Sequence, residues 1–244
     1  MNNDLYFESI IKLADLLRSG ELSCEALTNI YLDRIHSLNP KLDAFVYIAE
    51  EEATKAARGI DQLLSAGTDL GMLMGIPVAV KDLFAVNGMP TYAGSNVPVA
   101  NLIGREGSFV KKLKKAGCVI LGKTRTVEFA AGAQNLIHPT PWNPRDPLTH
   151  RTPGGSSSGS AVAVAAGLCS FAVGSDTGGS IRQPAALCGV FGFKPSKNIW
   201  STDGVLPLSP SLDTIGILTR SSNDSALVYQ TLNNSLPIIP IRLH

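Results

Sequence analysis

Gly154 to Ser180 reads GGSSSGSAVAVAAGLCSFAVGSDTGGS, and the order of its parts governs how the rest of the chain is read. Two Gly/Ser clusters, GGSSSGS (Gly154 to Ser160) and SDTGGS (Ser175 to Ser180), enclose an Ala/Val segment and a short apolar run. A flexible linker would be uninterrupted Gly/Ser. Here Ser160 to Ala166 predicts a tightly packed helix of small residues, and Phe171 to Val173 predicts a strand. The glycines therefore have a structural reason. They let a backbone approach closely or take a positive φ beside a regular element.

The same alternation extends outward. Ile76 to Val80 predicts a buried strand, Ser108 to Ala116 a helix, and Cys118 to Leu121 another strand. Downstream, Val190 to Phe193 reads as a strand, and Ser222 to Leu232 as a helix capped by Ser222 or Asn223. The N-terminal part reads as two helices between about Glu8 and Leu38, with Ser23 capping the second. Apolar residues recur at helical spacing there (Ile10, Leu13, Leu17, then Leu27, Ile30, Tyr31, Ile35). Asn39-Pro40 is expected to break the pattern. Ala44 to Ile48 follows as a strand, and Glu50 to Ala66 as a helix ended near Gly67. Strands alternating with helices define an α/β sheet protein. The 244 residues show no internal repeat and no linker, so residues 1–244 are expected to form one domain, helical over 1–67 with a core over 70–220.

Composition excludes several classes. Hydrophobic residues make up 44% of the chain and charged residues 17%, which suits a packed globular domain. A net charge of +1 gives no bulk attraction to nucleic acid or membrane. The Lys111, Lys112, Lys114, Lys115 cluster spreads over one solvated helix face. Asp4 and Glu8 stand where a signal peptide needs basic residues, and no apolar run approaches bilayer length. Cys24, Cys118, Cys169 and Cys188 are far apart, which suits reduced, buried thiols in a cytoplasmic protein. His36, His138, His150 and His244 are not spaced as metal ligands. Neither a metal nor a cofactor is expected.

Three literal motif matches fail on context. GCVILGKT (Gly117 to Thr124) has the P-loop pattern, but its middle residues are themselves a core strand, with a turn expected after it. GSSSG (Gly155 to Gly159) matches the nucleophile elbow, which requires Asp and then His downstream. After Ser157 the sole histidine is the terminal His244. S-x-x-K occurs at Ser9–Lys12 and Ser108–Lys111 on amphipathic helices, without its companion motifs.

What remains is serine chemistry without histidine. A serine hydroxyl needs a base to take its proton. A lysine serves when burial strips its charge of solvation and lowers its pKa. Lys81 ends the apolar run Ile76-Pro77-Val78-Ala79-Val80, so its amine emerges from a buried element. The competing reading pairs it with Asp82. Thr177, Gly178, Gly179 and Ser180 can turn consecutive N–H groups into one concavity, a nest for an oxyanion; the competing readings are an anion-binding turn and a tight helix entry. Arg182 either binds a substrate carboxylate or braces the loop.

Lys81, GGSSSGS and SDTGGSIRQPAALCGVFGFKPS (Ser175 to Ser196), in that order, resemble the amidase signature family. GIPVAVKD (Gly75 to Asp82), NPRDPLTHRTPGG (Asn143 to Gly155) and the SLD of Ser211 to Asp213 are similar as well. The resemblance spans roughly Leu70 to Arg220. It implies a mixed β-sheet flanked by helices and an acyl-enzyme mechanism on a small-molecule amide. Carried over by position, Ser180 attacks the amide carbonyl, and Ser156, following a cis peptide bond, relays its proton to neutral Lys81. Ser175 supports that network, and Thr177 to Ser180 match the oxyanion hole. The A subunit of glutamyl-tRNA(Gln) amidotransferase, which hydrolyses glutamine, fits the same residues, and a catalytically inactive remnant is a third reading.

The chain departs from the family in two places. Arg125-Thr126-Val127 precedes Glu128-Phe129 where relatives often carry Asn-Met-Asp. The chain also stops 64 residues after Ser180 (244 − 180), with the tail NNSLPIIPIRLH. A C-terminal part of the family domain is therefore expected to be missing, exposing a sheet edge suited to a homodimer or to amidotransferase partner subunits.

Overall fold

Serine caps and apolar spacing set the N-terminal helices in the computed structural model, which describes residues 5–233. Asp4, His244 and residues 234–243 of the tail lie outside the described residues. Helix α1 (Ile10–Ser19) begins after Ser9, whose hydroxyl accepts from the Lys12 N–H at 3.2 Å. Helix α2 (Cys24–Leu42) begins after Ser23, which accepts from the Ala26 N–H at 3.0 Å. Ile10, Leu13, Leu17, Leu27, Tyr31 and Ile35 are buried, so the helical spacing marks the packed face.

The expected break at Asn39-Pro40 does not occur. Pro40 lies inside α2, whose last turn ends at Asp43 with φ 49°. A proline forfeits one N–H bond and crowds the preceding turn. Here Asn39 compensates, because its side chain accepts from the Phe45 N–H at 2.8 Å and donates to the Phe45 carbonyl at 3.1 Å. That bracket holds the helix end against the start of β1 (Phe45–Ile48).

The remaining elements are α3 (Glu50–Ser65), β2 (Pro77–Lys81), α4 (Ala100–Ile103), α5 (Ser108–Lys115), β3 (Val119–Thr124), α6 (Ser158–Ala165), β4 (Phe171–Asp176), α7 (Arg182–Cys188), β5 (Phe191–Phe193), β6 (Thr214–Thr219) and α8 (Ser222–Asn233). Among the described residues they form one mixed sheet in the order β1-β3-β2-β4-β6-β5. Its centre is parallel: β2 pairs with β3 and with β4 in that sense. Antiparallel strands flank it, β1 on β3 and then β6 on β4 and β5 on β6. Every residue of β2, β3, β4 and β6 is buried, as strands covered on both faces require.

Several elements depart from the sequence reading, among them the short helix α4, which it does not contain. β6 is absent from the sequence reading, yet it occupies the place between β4 and β5. β3 runs on through Gly122, Lys123 and Thr124, where a turn is expected, because Tyr47 and Ile48 of β1 pair with Lys123 and Gly122 and keep the backbone extended. α7 follows the Thr177–Ser180 turn, for which a tight helix entry is one of the competing readings; Pro184 is tolerated at its third position, where the first-turn N–H has no intrahelical partner to lose. The cap of α8 is Ser221, one residue ahead of the expected pair: its hydroxyl accepts from the Asp224 N–H at 3.1 Å and donates to the Asp224 carboxylate at 2.9 Å.

Helix α6 explains its own small residues. A Cβ on Gly159 would stand 2.3 Å from the Ala44 carbonyl oxygen and 2.5 Å from the Arg125 nitrogen, both backbone atoms. The helix therefore packs against backbone, and the loop carrying Ser156 is seated by that contact. Replacing Gly159 with alanine is expected to destabilise the fold by about 2–4 kcal/mol, since the backbone cannot give way as a side chain would. A urea-unfolding midpoint equal to wild type would refute this.

Candidate active site

The parallel centre brings the candidate residues together. Lys81 is the last residue of β2, and Ser175 and Asp176 end the adjacent β4. Sites in sheets of this kind form beyond the carboxyl ends of parallel strands. Lys81 is fully buried. Its Nζ lies 2.7 Å from Ser156 Oγ and 3.0 Å from Ser175 Oγ, donating to both.

The competing pairing with Asp82 is not what the structure holds. Successive residues of a strand face opposite sides of a sheet. Lys81 faces α6, whereas Asp82 faces away and meets Lys123 at 2.8 Å. Lys123, also fully buried, further donates to the Pro90 carbonyl at 3.0 Å and to Thr91 Oγ1 at 2.7 Å. Burial pushes the Asp82 carboxyl up and the Lys123 amine down, and their mutual contact opposes both shifts. Lys81 has no ion-pair partner among the described residues. Burial lowers its pKa from 10.5 to about 7, against weaker upward pulls from Asp176 and Asp213. An amine in that range is available in its neutral form near neutral pH.

The three consecutive serines divide their work. Ser156, which follows a cis Gly155–Ser156 peptide bond, faces Lys81. Ser157 donates its hydroxyl to the Ser175 carbonyl at 3.2 Å, and Ser158 donates to the Arg125 carbonyl at 3.4 Å. The Ser157 N–H donates to the Ser180 carbonyl at 3.1 Å, which ties the two Gly/Ser clusters together. Among the described residues the Ser180 hydroxyl has no hydrogen-bond partner. Ser180 is half-buried at the rim of a cavity of about 400 Å³, lined also by Gly155, Thr177, Gly178, Gly179 and Gln183.

The Thr177–Ser180 turn differs from a nest of four converging donors. Asp176 folds back under it and accepts from the Gly179 N–H at 2.8 Å and the Ile181 N–H at 3.1 Å. The Gly179 N–H is thereby engaged inside the turn. The N–H groups of Gly178 and Ser180 have no protein partner among the described residues. A Cβ on Gly178 or Gly179 would meet nothing within 4 Å, and Gly179 has φ +128°. These glycines border open space, in contrast to Gly159, which is needed for packing.

Arg182 takes the bracing role. Its Nε and Nη2 donate to Asp176 at 3.0 and 2.9 Å. Burial alone would raise the Asp176 carboxyl, but Arg182 and the loop N–H groups outweigh it and hold it below its ordinary value. Arg125, the first residue of the Arg125-Thr126-Val127 stretch, pairs with Asp43 at 3.0 Å. Beside it, Val127 donates its N–H to the Ser156 carbonyl at 3.2 Å.

Asp176, Lys123 and Gln183 were not singled out from sequence. SDT and GKT contain the first two in plain view, but only the fold supplies their partners. Gln183 accepts from the Gly155 N–H at 3.3 Å, a contact between residues 28 positions apart.

The amidase family model matches residues 26–240, and the chain belongs to that family. The A subunit of glutamyl-tRNA(Gln) amidotransferase of Acidothermus cellulolyticus is 42% identical over 232 residues, covering 94% of this chain and 46% of that protein. The 2-amino-5-chloromuconic acid deaminase of Comamonas testosteroni is 40% identical over 234 residues, covering 95% and 51%. The structure of the peptide amidase of Stenotrophomonas maltophilia superposes with a TM-score of 0.81 at 34% identity, covering 95% of this chain and 50% of that one. The chain thus spans about half the length of the relatives it matches. Among the described residues no helix is long and apolar enough to cross a membrane.

Proposed function

We propose that the site hydrolyses a carboxamide C–N bond, with Ser180 as nucleophile, Ser156 as relay and Lys81 as base. The observation that carries this reading is the environment of Lys81: fully buried, free of carboxylate contact and hydrogen-bonded to two serine hydroxyls. In its neutral form the amine keeps donating to Ser175, and its lone pair accepts from the Ser156 hydroxyl across the same 2.7 Å contact. Ser180 Oγ attacks the carbonyl carbon as its proton passes to Ser156, whose own proton passes to Lys81. The N–H groups of Gly178 and Ser180 stabilise the oxyanion that forms. The proton then returns through Ser156 to the departing nitrogen, and ammonia or an amine leaves. Water attacks the acyl-enzyme by the same relay in reverse.

A fluorophosphonate tests the nucleophile directly. Ser180 Oγ displaces fluoride from phosphorus and its proton goes to the Ser156–Lys81 pair. Wild-type protein is expected to carry the adduct on Ser180, and Ser180→Ala to carry none; mass spectrometry that still finds the adduct in the variant overturns the assignment.

A second reading takes glutamine as the amide donor, favoured by the similarity to the amidotransferase A subunit. Glutaminase activity that appears only with partner subunits and tRNA would select it over a free-standing amidase.

A further inference from the structure

We propose that Asp213 is a positioning residue, clamping the Thr177 end of the nucleophile turn to the loop that walls the neighbouring cavity. The inference rests on Ser180 being the nucleophile.

Asp213 immediately precedes β6 and is only half-buried. Among the described residues no lysine or arginine pairs with it. Its carboxylate is nevertheless surrounded by donors. Oδ1 accepts from the Thr177 hydroxyl and from the Ser209 N–H at 3.0 Å. Oδ2 accepts from the Leu208 N–H at 2.9 Å and again from Ser209 at 3.0 Å. Both oxygens are thus used as acceptors, and no donor is wanted. That is the property separating aspartate from asparagine at this position.

These bonds close a ring. The Leu206 N–H donates to the Leu83 carbonyl at 2.9 Å, and the Ala85 N–H donates to the Gly204 carbonyl at 2.8 Å. Leu83 lies two residues past Lys81. The 204–209 loop is therefore stitched on one side to the strand that delivers the base. Asp213 stitches its other side to Thr177, two residues past Ser175. Base, wall and nucleophile turn are joined around a cavity of about 300 Å³ lined by Leu83, Ser175, Thr177, Leu206, Leu208 and Asp213. Thr177 and Leu208 also line the cavity on the Ser180 side. The one link in this ring made by side chains alone is Thr177–Asp213, which extends the tie between turn and wall past the last β4–β6 pair, Asp176 with Thr214, so its loss would loosen the turn against the wall. Gly178 and Gly179 give the turn no packing of their own, so the clamp at Thr177 acts together with Asp176 beneath the turn in setting where its N–H groups point.

The test is the rate of Ser180 phosphonylation by a fluorophosphonate, resolved into the affinity of the reversible complex and the rate of the covalent step. The phosphoryl oxygen has to be seated by the turn for that step to proceed. Asp213→Asn and Thr177→Val are each expected to slow it about 10- to 100-fold, as small misplacements of reacting groups do, with affinity changed less than about threefold. The double variant is expected to be no slower than the slower single one, since both remove one contact. A covalent rate within twofold of wild type in Asp213→Asn, or losses that multiply in the double variant, overturns the inference. So does a loss that disappears once rates are expressed per folded molecule, which is the signature of a purely structural residue. Should Asp213→Asn not fold, Thr177→Val decides alone, and a wild-type rate there overturns the clamp. Wild-type protein that takes no adduct at Ser180 overturns the nucleophile assignment beneath it. A labelled wild type with unchanged variants overturns this inference only.

Discussion

Lys81→Met is expected to lower amide hydrolysis by about 10²- to 10⁴-fold, the usual worth of a positioned general base, while the protein stays folded. The methionine fills nearly the same space but cannot accept the Ser156 proton. In wild type, kcat/KM is expected to rise with pH and level off near the Lys81 pKa of about 7, because the neutral amine is the active form. Stability carries the same signature with a definite sign. Between about 7 and 10.5 the unfolded chain binds the Lys81 proton and the folded chain does not. Folding stability from this group therefore increases as pH rises through that window and is lowest below about 7. The full difference is about 5 kcal/mol, offset in the variant by leaving the Ser156 and Ser175 hydroxyls without their partner. The melting temperature of Lys81→Met relative to wild type should consequently be higher at about pH 6 than at about pH 9. A pH-independent difference, or turnover that survives the substitution, would remove Lys81 from the role of base.

Much of this site was legible in the chain because its key residues sit at the ends of apolar elements. Lys81 closes Ile76 to Val80, and a charged residue at the end of a buried strand stands out. The Gly/Ser clusters stand out for a related reason: they interrupt regular elements rather than link them. What sequence cannot carry is the identity of a partner from another strand. Lys81 and Lys123 look alike locally, each the last or next-to-last residue of a buried strand. Their roles diverge because one side chain enters the α6 face and meets hydroxyls, while the other enters the opposite face and meets a carboxylate. Gly122 reads as the start of a turn, and pairing with β1 keeps Gly122-Lys123-Thr124 in the strand. The same limit hid β6. Thr214 to Thr219 is a plausible strand in isolation, but its place between β4 and β5 depends on a long excursion from Phe193 to Thr214. Arg182 shows the limit within ten residues: the sequence leaves both of its roles open, and the Asp176 carboxylate beneath the turn selects the bracing one.

The second large effect is expected at the buried pair on the far face. Lys123→Met alone should destabilise the protein by about 3–5 kcal/mol, because it strands a buried carboxylate. Asp82 is 1% exposed, and it holds the Tyr92 and Ala93 N–H groups at 2.9 and 3.1 Å. Deprived of Lys123, it keeps those two bonds but loses its counter-charge, and the Pro90 carbonyl and Thr91 hydroxyl lose a donor as well. Asp82→Asn combined with Lys123→Met removes both charges and retains an oxygen for the two N–H groups. The double variant should therefore be more stable than Lys123→Met alone, recovering more than half of the loss. Such a reversal distinguishes the cost of an uncompensated charge from the cost of lost packing, which a second substitution would only increase. Urea midpoints of the wild type, the two single variants and the double variant supply the cycle. A Lys123→Met variant within about 1 kcal/mol of wild type would mean that Asp82 is neutral in the folded protein, and losses that simply add would mean that the two side chains act as separate packing units.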